Sequence, residues 1–465
     1  MESEQKKIAV LGLGSSGMAA AQLALKHGAE VFVWDESALV CLEERAAQLR
    51  ALGATVELGV KSLPQTRVDL TVISPGITPE SILGRFASQA GGKVLSELEY
   101  GWSFMQEIPT IGVTGTNGKT TTTELCSLIL NENGIPTCAS GNIGYPVSSL
   151  ALENRRFPVN LFEVSSFQLE RIKNFRPGIA LLTNITPDHL ERYPALEDYF
   201  LTKLEIFSKQ GAEDWSVIQW GAFQQILGQK EKCREKKINL KSRQITYSAE
   251  ASQADMHMQD GWIVYNGSHG LPEGKWLDVK ELKLLGDHNL ENVMAALLAT
   301  VLSGVSVHQA CQSAVKFEPS DHRCQLVGVV KGVKYINDSK ATNVDATRQA
   351  LKMVPEGKKT WLIAGGKDKG FDFGGLEDLL SCRVHGAILI GETRERICRE
   401  WEQHVHCMLA NSLEEAVYYA ARNAVAGEVV LLSPACSSFD MFKSYAHRGE
   451  LFREYVEKVK KEKEI

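Results

Sequence analysis

The run Gly115-Thr116-Asn117-Gly118-Lys119-Thr120-Thr121 follows the apolar segment Thr110–Val113 and precedes a helical stretch. Glycines in such a run let successive backbone N–H groups turn inward to cradle phosphate oxygens, and the following helix N-terminus adds positive potential. Lys119 would reach the β- and γ-phosphates as a point charge, and the Thr120 hydroxyl would sit on magnesium. The spacing is unusual: the first glycine stands three positions before Gly118, where the common phosphate loop has five. A plain glycine turn capping a helix is the competing reading. The Lys-Thr-Thr sequel speaks against it.

A phosphate-bound metal needs an anionic anchor. Glu163 stands near the end of the apolar run Val159–Val164, just before Ser165-Ser166. A carboxylate at the C-terminal edge of a parallel strand faces the crevice where ligands bind in open α/β sheets, and magnesium prefers such hard oxygens. Pairing of Glu163 with a surface lysine is the bland alternative, and the upstream loop favours the metal. Thr183-Asn184-Ile185-Thr186-Pro187-Asp188-His189 ends another strand at the same edge. Alone, His189 reads as structural and Lys203 as a solvated helical lysine. Near the N-terminus, Gly12-x-Gly14-x-x-Gly17 with Asp35 downstream satisfies the dinucleotide fingerprint. That pattern would serve an NAD-dependent dehydrogenase, yet the same geometry binds any diphosphate, including that of a UDP-sugar.

The elements that must position these residues form an α/β pattern in three consecutive blocks. In residues 1–98, Lys6–Leu11, a helix to about His27 and Glu30–Trp34 make a βαβ unit, and Asp69–Ser74 repeats the strand signal. In residues 99–318, Thr110–Val113, Val159–Val164 and Ile179–Ile185 are continuous apolar runs, expected for strands covered on both faces. Alternation at Trp262–Tyr265 predicts an antiparallel addition within Ser208–Leu282, and helix Asn289–Leu302 closes the block. Residues 319–465 carry Val333–Asn337, Thr360–Ala364, Gly386–Ile390 and Glu428–Leu432 as strands alternating with helices.

Composition agrees with a large globular protein. At 465 residues about three domains are expected. A net charge of −6 gives no electrostatic footprint for nucleic acid, and the mixed Lys230–Arg243 stretch reads as a solvated face. The ten cysteines form no Cys-x-x-Cys pair, so neither a zinc site nor a redox motif is indicated. No secretory signal is legible and no apolar run approaches the roughly 20 residues that span a bilayer. The expectation is a cytoplasmic protein without membrane insertion.

Together these residues resemble the Mur ligase family. The phosphate loop with its short spacing is followed in family order by Gly141-Asn142-Ile143-Gly144, Glu163 to Glu170, Thr183 to His189 and His288-Asn289-Leu290-Glu291-Asn292. His322-Arg323, Asn337 to Asn343, Gly365 to Gly370 and Leu432 to Asp440 complete the set. The last four are similar to the D-glutamate-adding members, and the Asp-Asn-Pro-Arg stretch typical of members adding diaminopimelate or lysine is absent. The resemblance covers nearly the whole chain and is weakest over 208–282 and 382–423.

The resemblance implies a UDP-sugar-binding Rossmann-like domain (1–98), a central P-loop ATPase domain (99–318) and a Rossmann-like D-glutamate-binding domain (319–465). It implies an ATP-dependent amide ligase joining D-glutamate to UDP-N-acetylmuramoyl-L-alanine through an acyl phosphate, acting as a monomer in cytoplasmic peptidoglycan precursor synthesis. Gly115, Thr116, Asn117, Gly118, Lys119, Thr120, Thr121, Asn289, Asn292, Arg323, Asp338 and Lys340 would bind ATP. Two Mg2+ sites would use Thr120 and Glu163, then His189 and a Lys203 carbamylated by CO2. Lys119, His189 and Lys203 would be the catalytic group. Ser15, Ser16, Asp35, Gly76 and Asn142 would contact the UDP-sugar; Thr342, Lys369, Ser438 and Tyr445 would frame D-glutamate. Glu36-Ser37 departs from the Thr-Arg pair of some members, and Gln325 and Ala446-His447 are further departures. Another Mur or folylpolyglutamate-type ligase is the nearest alternative within the class.

Overall fold

The computed structural model describes all residues except 1–4, 154–155, 190–191, 194, 236–237, 239, 285, 319–320, 355, 358, 369, 371 and 465. Three sheets organise it. The first holds β1 (Lys7–Leu11), β2 (Glu30–Asp35), β3 (Thr55–Leu58), β4 (Leu70–Ile73) and β5 (Lys93–Ser96), all parallel, in the order β3-β2-β1-β4-β5. Successive strands are added to one side of β1 (β2, β3) and then to the other (β4, β5), which places the Gly12 turn at a topological switch point. Ile8 and Val10 pack into one core cluster and Ala9 and Leu11 into the other, as the two-residue side-chain period requires of a strand covered on both faces.

The second sheet comprises β6 (Thr110–Thr114), β7 (Ala139–Gly141), β8 (Asn160–Glu163), β9 (Ile179–Leu182), β10 (Trp215–Gln219), β11 (Arg243–Ser248), β12 (Met256–Gln259), β13 (Trp262–Tyr265) and β14 (Gly274–Asp278). Their order is β14-β13-β12-β11-β10-β9-β6-β8-β7. The expected antiparallel addition is smaller than its sequence span. Strands β10 and β11 extend the parallel sheet, and only β12, β13 and β14 pair antiparallel. Val217, Ile218 and Ile245 are buried, so β10 and β11 are core strands; β13 shows the inside–outside alternation that identified it.

The third sheet runs β15 (Gln325–Val330), β16 (Val333–Asn337), β20 (Val429–Leu432), β17 (Thr360–Gly365), β18 (Val384–Ile390), β19 (His406–Leu409). Only the β15 edge is antiparallel. Leu362 and Ala364 of β17 face one cluster, Trp361 and Ile363 the other.

By packing, the chain divides into two compact units. One is Met1–Ile185, Glu197–Leu282 and Glu291–Phe317; the other is Thr186–Leu196, Lys283–Leu290 and Glu318–Ile465. Two short segments of the middle block therefore pack with the third sheet. Within the first unit, helix Glu97–Trp102 bolts the first sheet to the second. Glu97 accepts Ser148 N at 2.6 Å, and the Glu99 carboxylate collects the backbone N–H groups of Lys173, Asn174 and Phe175. All ten cysteines are free thiols. Among the described residues, no helix is long and apolar enough to cross a membrane.

Candidate functional site

In the first unit, β6 runs buried into the glycine loop, and helix Lys119–Glu132 leaves it. Gly115 (φ 145°) and Gly118 (φ 83°) both lie where L side chains are strained. A Cβ would stand 1.9 Å from Thr183 Oγ1 at the first and 2.2 Å from Asn292 Oδ1 at the second. Glycine is thus demanded twice, by backbone angle and by space. The loop is braced from the neighbouring strand end: Thr116 N donates to Asn184 O, Asn117 N to Asn184 Oδ1, and Asn184 Nδ2 returns a bond to Asn117 O at 3.0 Å. Asn292 also accepts from Thr122 Oγ1 at 3.2 Å. Lys119 Nζ lies over the loop, donating to Gly115 O (2.8 Å) and Thr116 O (2.7 Å). Thr120 is half-buried in the first helical turn, which carries no acidic residue.

Glu163 ends β8, paired in register with Val113 of β6, and is 1% exposed. Its Oε1 accepts from Asn142 Nδ2 at 2.7 Å, while Oε2 is buried with no hydrogen-bond partner among the described residues. A buried, half-satisfied carboxylate is costly unless a cation completes it. The orphaned oxygen beside a phosphate loop fits a magnesium ion. Among the described residues no three His, Cys, Asp or Glu side chains form a cage of their own. Magnesium usually draws its remaining ligands from phosphate and water.

Lys203 corrects its bland reading: it is 1% exposed, not solvated. Its Nζ donates to Gly115 O at 2.8 Å and stands 4.5 Å from the centre of the Tyr199 ring. The Tyr199 hydroxyl lies 3.1 Å from Thr116 Oγ1, which ties the lysine's helix to the loop.

At the first sheet, helix Ser15–Lys26 starts directly after Gly14. A Cβ on Gly17 would fall 1.8 Å from Gly12 O, so the glycine serves close helix–strand packing. The Asp35 carboxylate accepts Leu13 N and Ser37 N, both at 2.7 Å, and so shapes the loop. Ser15 is exposed and Ser16 half-buried at the helix start; Gly76 is exposed in the turn after β4. Glu36, one of the departures, accepts Leu83 N at 2.9 Å and secures helix Ile82–Gln89.

In the second unit, Asp338 follows β16, accepting Ser433 Oγ at 2.8 Å and Cys324 N at 3.2 Å. Burial pushes its carboxyl up to about 6, against the pull of those hydrogen bonds and of Arg323. Lys340 Nζ stands 3.7 Å over the Tyr445 ring. Ser438 is buried, with its carbonyl accepting Phe442 N, and Thr342 is half-buried. His189 (φ 55°) and Asn289 belong to segments that pack in this unit, whereas Asn292 lies in the first. Asp188 accepts His189 N at 2.9 Å and Asn343 Nδ2 at 3.2 Å, so Asn343 holds the histidine's turn while capping helix Val344–Met353. Lys369 lies outside the described residues.

Sequence reading missed Arg448. It is fully buried and donates to Ser339 Oγ, Ser339 O, Cys436 O and Ser437 O, and burial lowers its guanidinium to about 10. It fastens the Ser339 turn to the Ser437 turn. In the heavily charged helix Tyr445–Glu464 a buried arginine looks like its solvated neighbours. The one signal was Gly449, where a Cβ would stand 2.2 Å from His322 Nδ1.

Comparison with known proteins matches residues 113–300 to the Mur ligase middle domain and residues 322–436 to the Mur ligase glutamate ligase domain. A curated UDP-N-acetylmuramoylalanine--D-glutamate ligase from Koribacter versatilis is 39% identical over 461 residues, 99% of each chain. One of the same name from Geotalea daltonii is 40% identical over 461 residues, 98% of each chain. Among solved structures, UDP-N-acetylmuramate-alanine ligase MurC from Thermotoga maritima superposes with a TM-score of 0.58 at 18% identity, covering 98% of this chain and 100% of that one. MurF from the same organism, in complex with ADP, gives 0.57 at 18% identity, covering 98% and 96%. These structures share the α/β fold with its parallel sheets. With the loop, the acidic strand end and end-to-end relatives in agreement, this chain belongs to the Mur ligase family.

Proposed function

We propose that this chain is an ATP-dependent ligase that joins D-glutamate to UDP-N-acetylmuramoyl-L-alanine. The observation that carries the reading is the glycine cradle with Lys119, which follows the strand paired with the one that Glu163 ends; the second oxygen of Glu163 is buried with no hydrogen-bond partner among the described residues. It occurs in a chain that matches D-glutamate ligases along its whole length.

The terminal carboxylate of the UDP-linked acceptor attacks the γ-phosphate of ATP, the bond to the β-phosphate breaks, ADP leaves and an acyl phosphate forms. The D-glutamate amine then attacks that carbonyl, and phosphate leaves. Both partners of the first step are anionic, so the site must offset their repulsion. The backbone N–H groups from Gly115 to Thr121 and the Lys119 ammonium hold the phosphates. Thr120 and Glu163 would hold one magnesium ion, and His189 with a carbamate on Lys203 a second; such ions neutralise charge on phosphate oxygens. A bare ammonium repels a metal, whereas the carbamate offers it anionic oxygens. Asn289, Asn292, Arg323, Asp338 and Lys340 bind the rest of ATP. Ser15, Ser16, Asp35, Gly76 and Asn142 take the UDP-sugar, and Thr342, Lys369, Ser438 and Tyr445 take D-glutamate. The domains are 1–98, 99–318 and 319–465, in a cytoplasmic monomer.

Phosphate release from MgATP and UDP-N-acetylmuramoyl-L-alanine, measured with D-glutamate, L-glutamate, D-aspartate, L-lysine and diaminopimelate in turn, tests this. D-Glutamate alone should support rapid turnover. Equal turnover with several amines, or none with D-glutamate, overturns it.

A further inference from the structure

Strand β7 is an edge strand of three residues, and its last, Gly141, pairs in register with Glu163. Gly141 has φ 96°, and a Cβ there would stand 2.4 Å from Glu163 O. Only glycine lets the chain lie this close against the end of β8. The turn that follows closes on itself, Gly141 N donating to Tyr145 O at 2.8 Å. Asn142, the first residue of that turn, then bonds Glu163 twice. Its backbone N–H donates to Glu163 O at 2.9 Å, and its Nδ2 donates to Oε1 at 2.7 Å.

Among the described residues that side-chain amide makes the only hydrogen bond to the Glu163 carboxylate, since Oε2 has none. Glu163 is buried, whereas Asn142 is exposed. A carboxylate offers only acceptors, so Asn142 must turn its NH2 group inward. The bond satisfies one oxygen, fixes the plane of the group and leaves the other oxygen facing no protein donor. The strand pairing and the main-chain bond from Asn142 already secure the turn, so the side-chain bond has a separate task. Groups that orient a metal ligand in this way tune the affinity for the ion without touching it. Asn142 Oδ1 meets no donor among the described residues, which keeps that oxygen free for the UDP-linked acceptor.

We propose that Asn142 is a positioning residue for magnesium: its amide holds Glu163 in the orientation that leaves Oε2 for the ion, and so sets the affinity for the metal beside the nucleotide. The proposal rests on the reading of Glu163 as a metal ligand.

The test reads metal binding instead of turnover. Full-length enzyme is titrated with a fluorescent, non-hydrolysable ATP analogue in excess Mg2+ and again in EDTA, with neither other substrate present. The ratio of the two dissociation constants measures what the ion adds. Asn142→Ala should lower that ratio about tenfold, ~1.4 kcal/mol, with the EDTA value within about twofold of wild type. Glu163→Gln should lower it at least as far. The double variant N142A/E163Q should match E163Q, because the asparagine acts only through the carboxylate. A merely structural role would lower thermal stability and leave the ratio unmoved. An unchanged ratio in N142A, or a double variant about tenfold below E163Q, overturns the proposal. Should N142A not fold, Asn142→Leu, similar in size and without a donor, decides by the same ratio. If Glu163→Gln keeps the wild-type ratio, the reading of Glu163 fails; if its ratio falls and that of N142A does not, only the role of Asn142 fails.

Discussion

At the phosphate loop two ammonium groups, Lys119 and Lys203, donate to one carbonyl oxygen, that of Gly115, each at 2.8 Å. Across the Asp338 region of the other unit, charged groups are enclosed instead by short, fixed donors and acceptors: Asp338 by Ser433 and Cys324, Arg448 by Ser339, Cys436 and Ser437. The first arrangement sets the Lys119 ammonium among backbone N–H groups, which suits a polyanion that arrives and leaves, and brings Lys203, the residue proposed to carry the carbamate, to the same loop. The second fixes turns that arise from separate parts of the chain. One region is built to receive charge, the other to hold shape, and substitutions in them should fail differently.

The largest effect belongs to Lys119→Ala. It removes the charge that offsets phosphate repulsion, so ADP formation should fall on the order of 10³-fold with the unfolding midpoint nearly unchanged. Rapid ADP formation by that variant would break the contrast. Lys203→Ala should lose on the order of 10²-fold in turnover, and added short carboxylates such as acetate should restore part of it. A variant that works normally without them would dispose of the carbamate.

For Asp338 the expected signature is stability. Its folded-state pKa, about 6, lies above the ordinary value of 3.8, so the native state retains a proton that the unfolded chain has released. The stabilisation is therefore fully present below pH 3.8 and is lost as pH rises through 6. Urea unfolding of the wild type should weaken across that window by ~2–3 kcal/mol more than that of Asp338→Asn. Parallel pH profiles for the two proteins would show that the carboxyl is not desolvated.

How far the sequence revealed these regions follows the same division. The phosphate loop was legible because its requirements are local: a strand, glycines at set positions, Lys119 and Thr120 in consecutive places. Val333–Asn337 and Trp262–Tyr265 were legible as strands because runs and alternation register burial directly. Short edge strands such as Thr55–Leu58, Lys93–Ser96 and His406–Leu409 were not, since they are partly exposed and carry neither pattern. Arg448 escaped for a different reason. It acts on Ser339, distant in sequence, and no spacing rule links such residues before the chain folds.

The central claim is that the acceptor's carboxylate is phosphorylated before the amine adds. Labelling that carboxylate with oxygen-18, running the complete reaction and weighing the released inorganic phosphate tests it most directly. One label per turnover should appear in the phosphate. Phosphate free of label, from a reaction that forms the amide, would contradict the account.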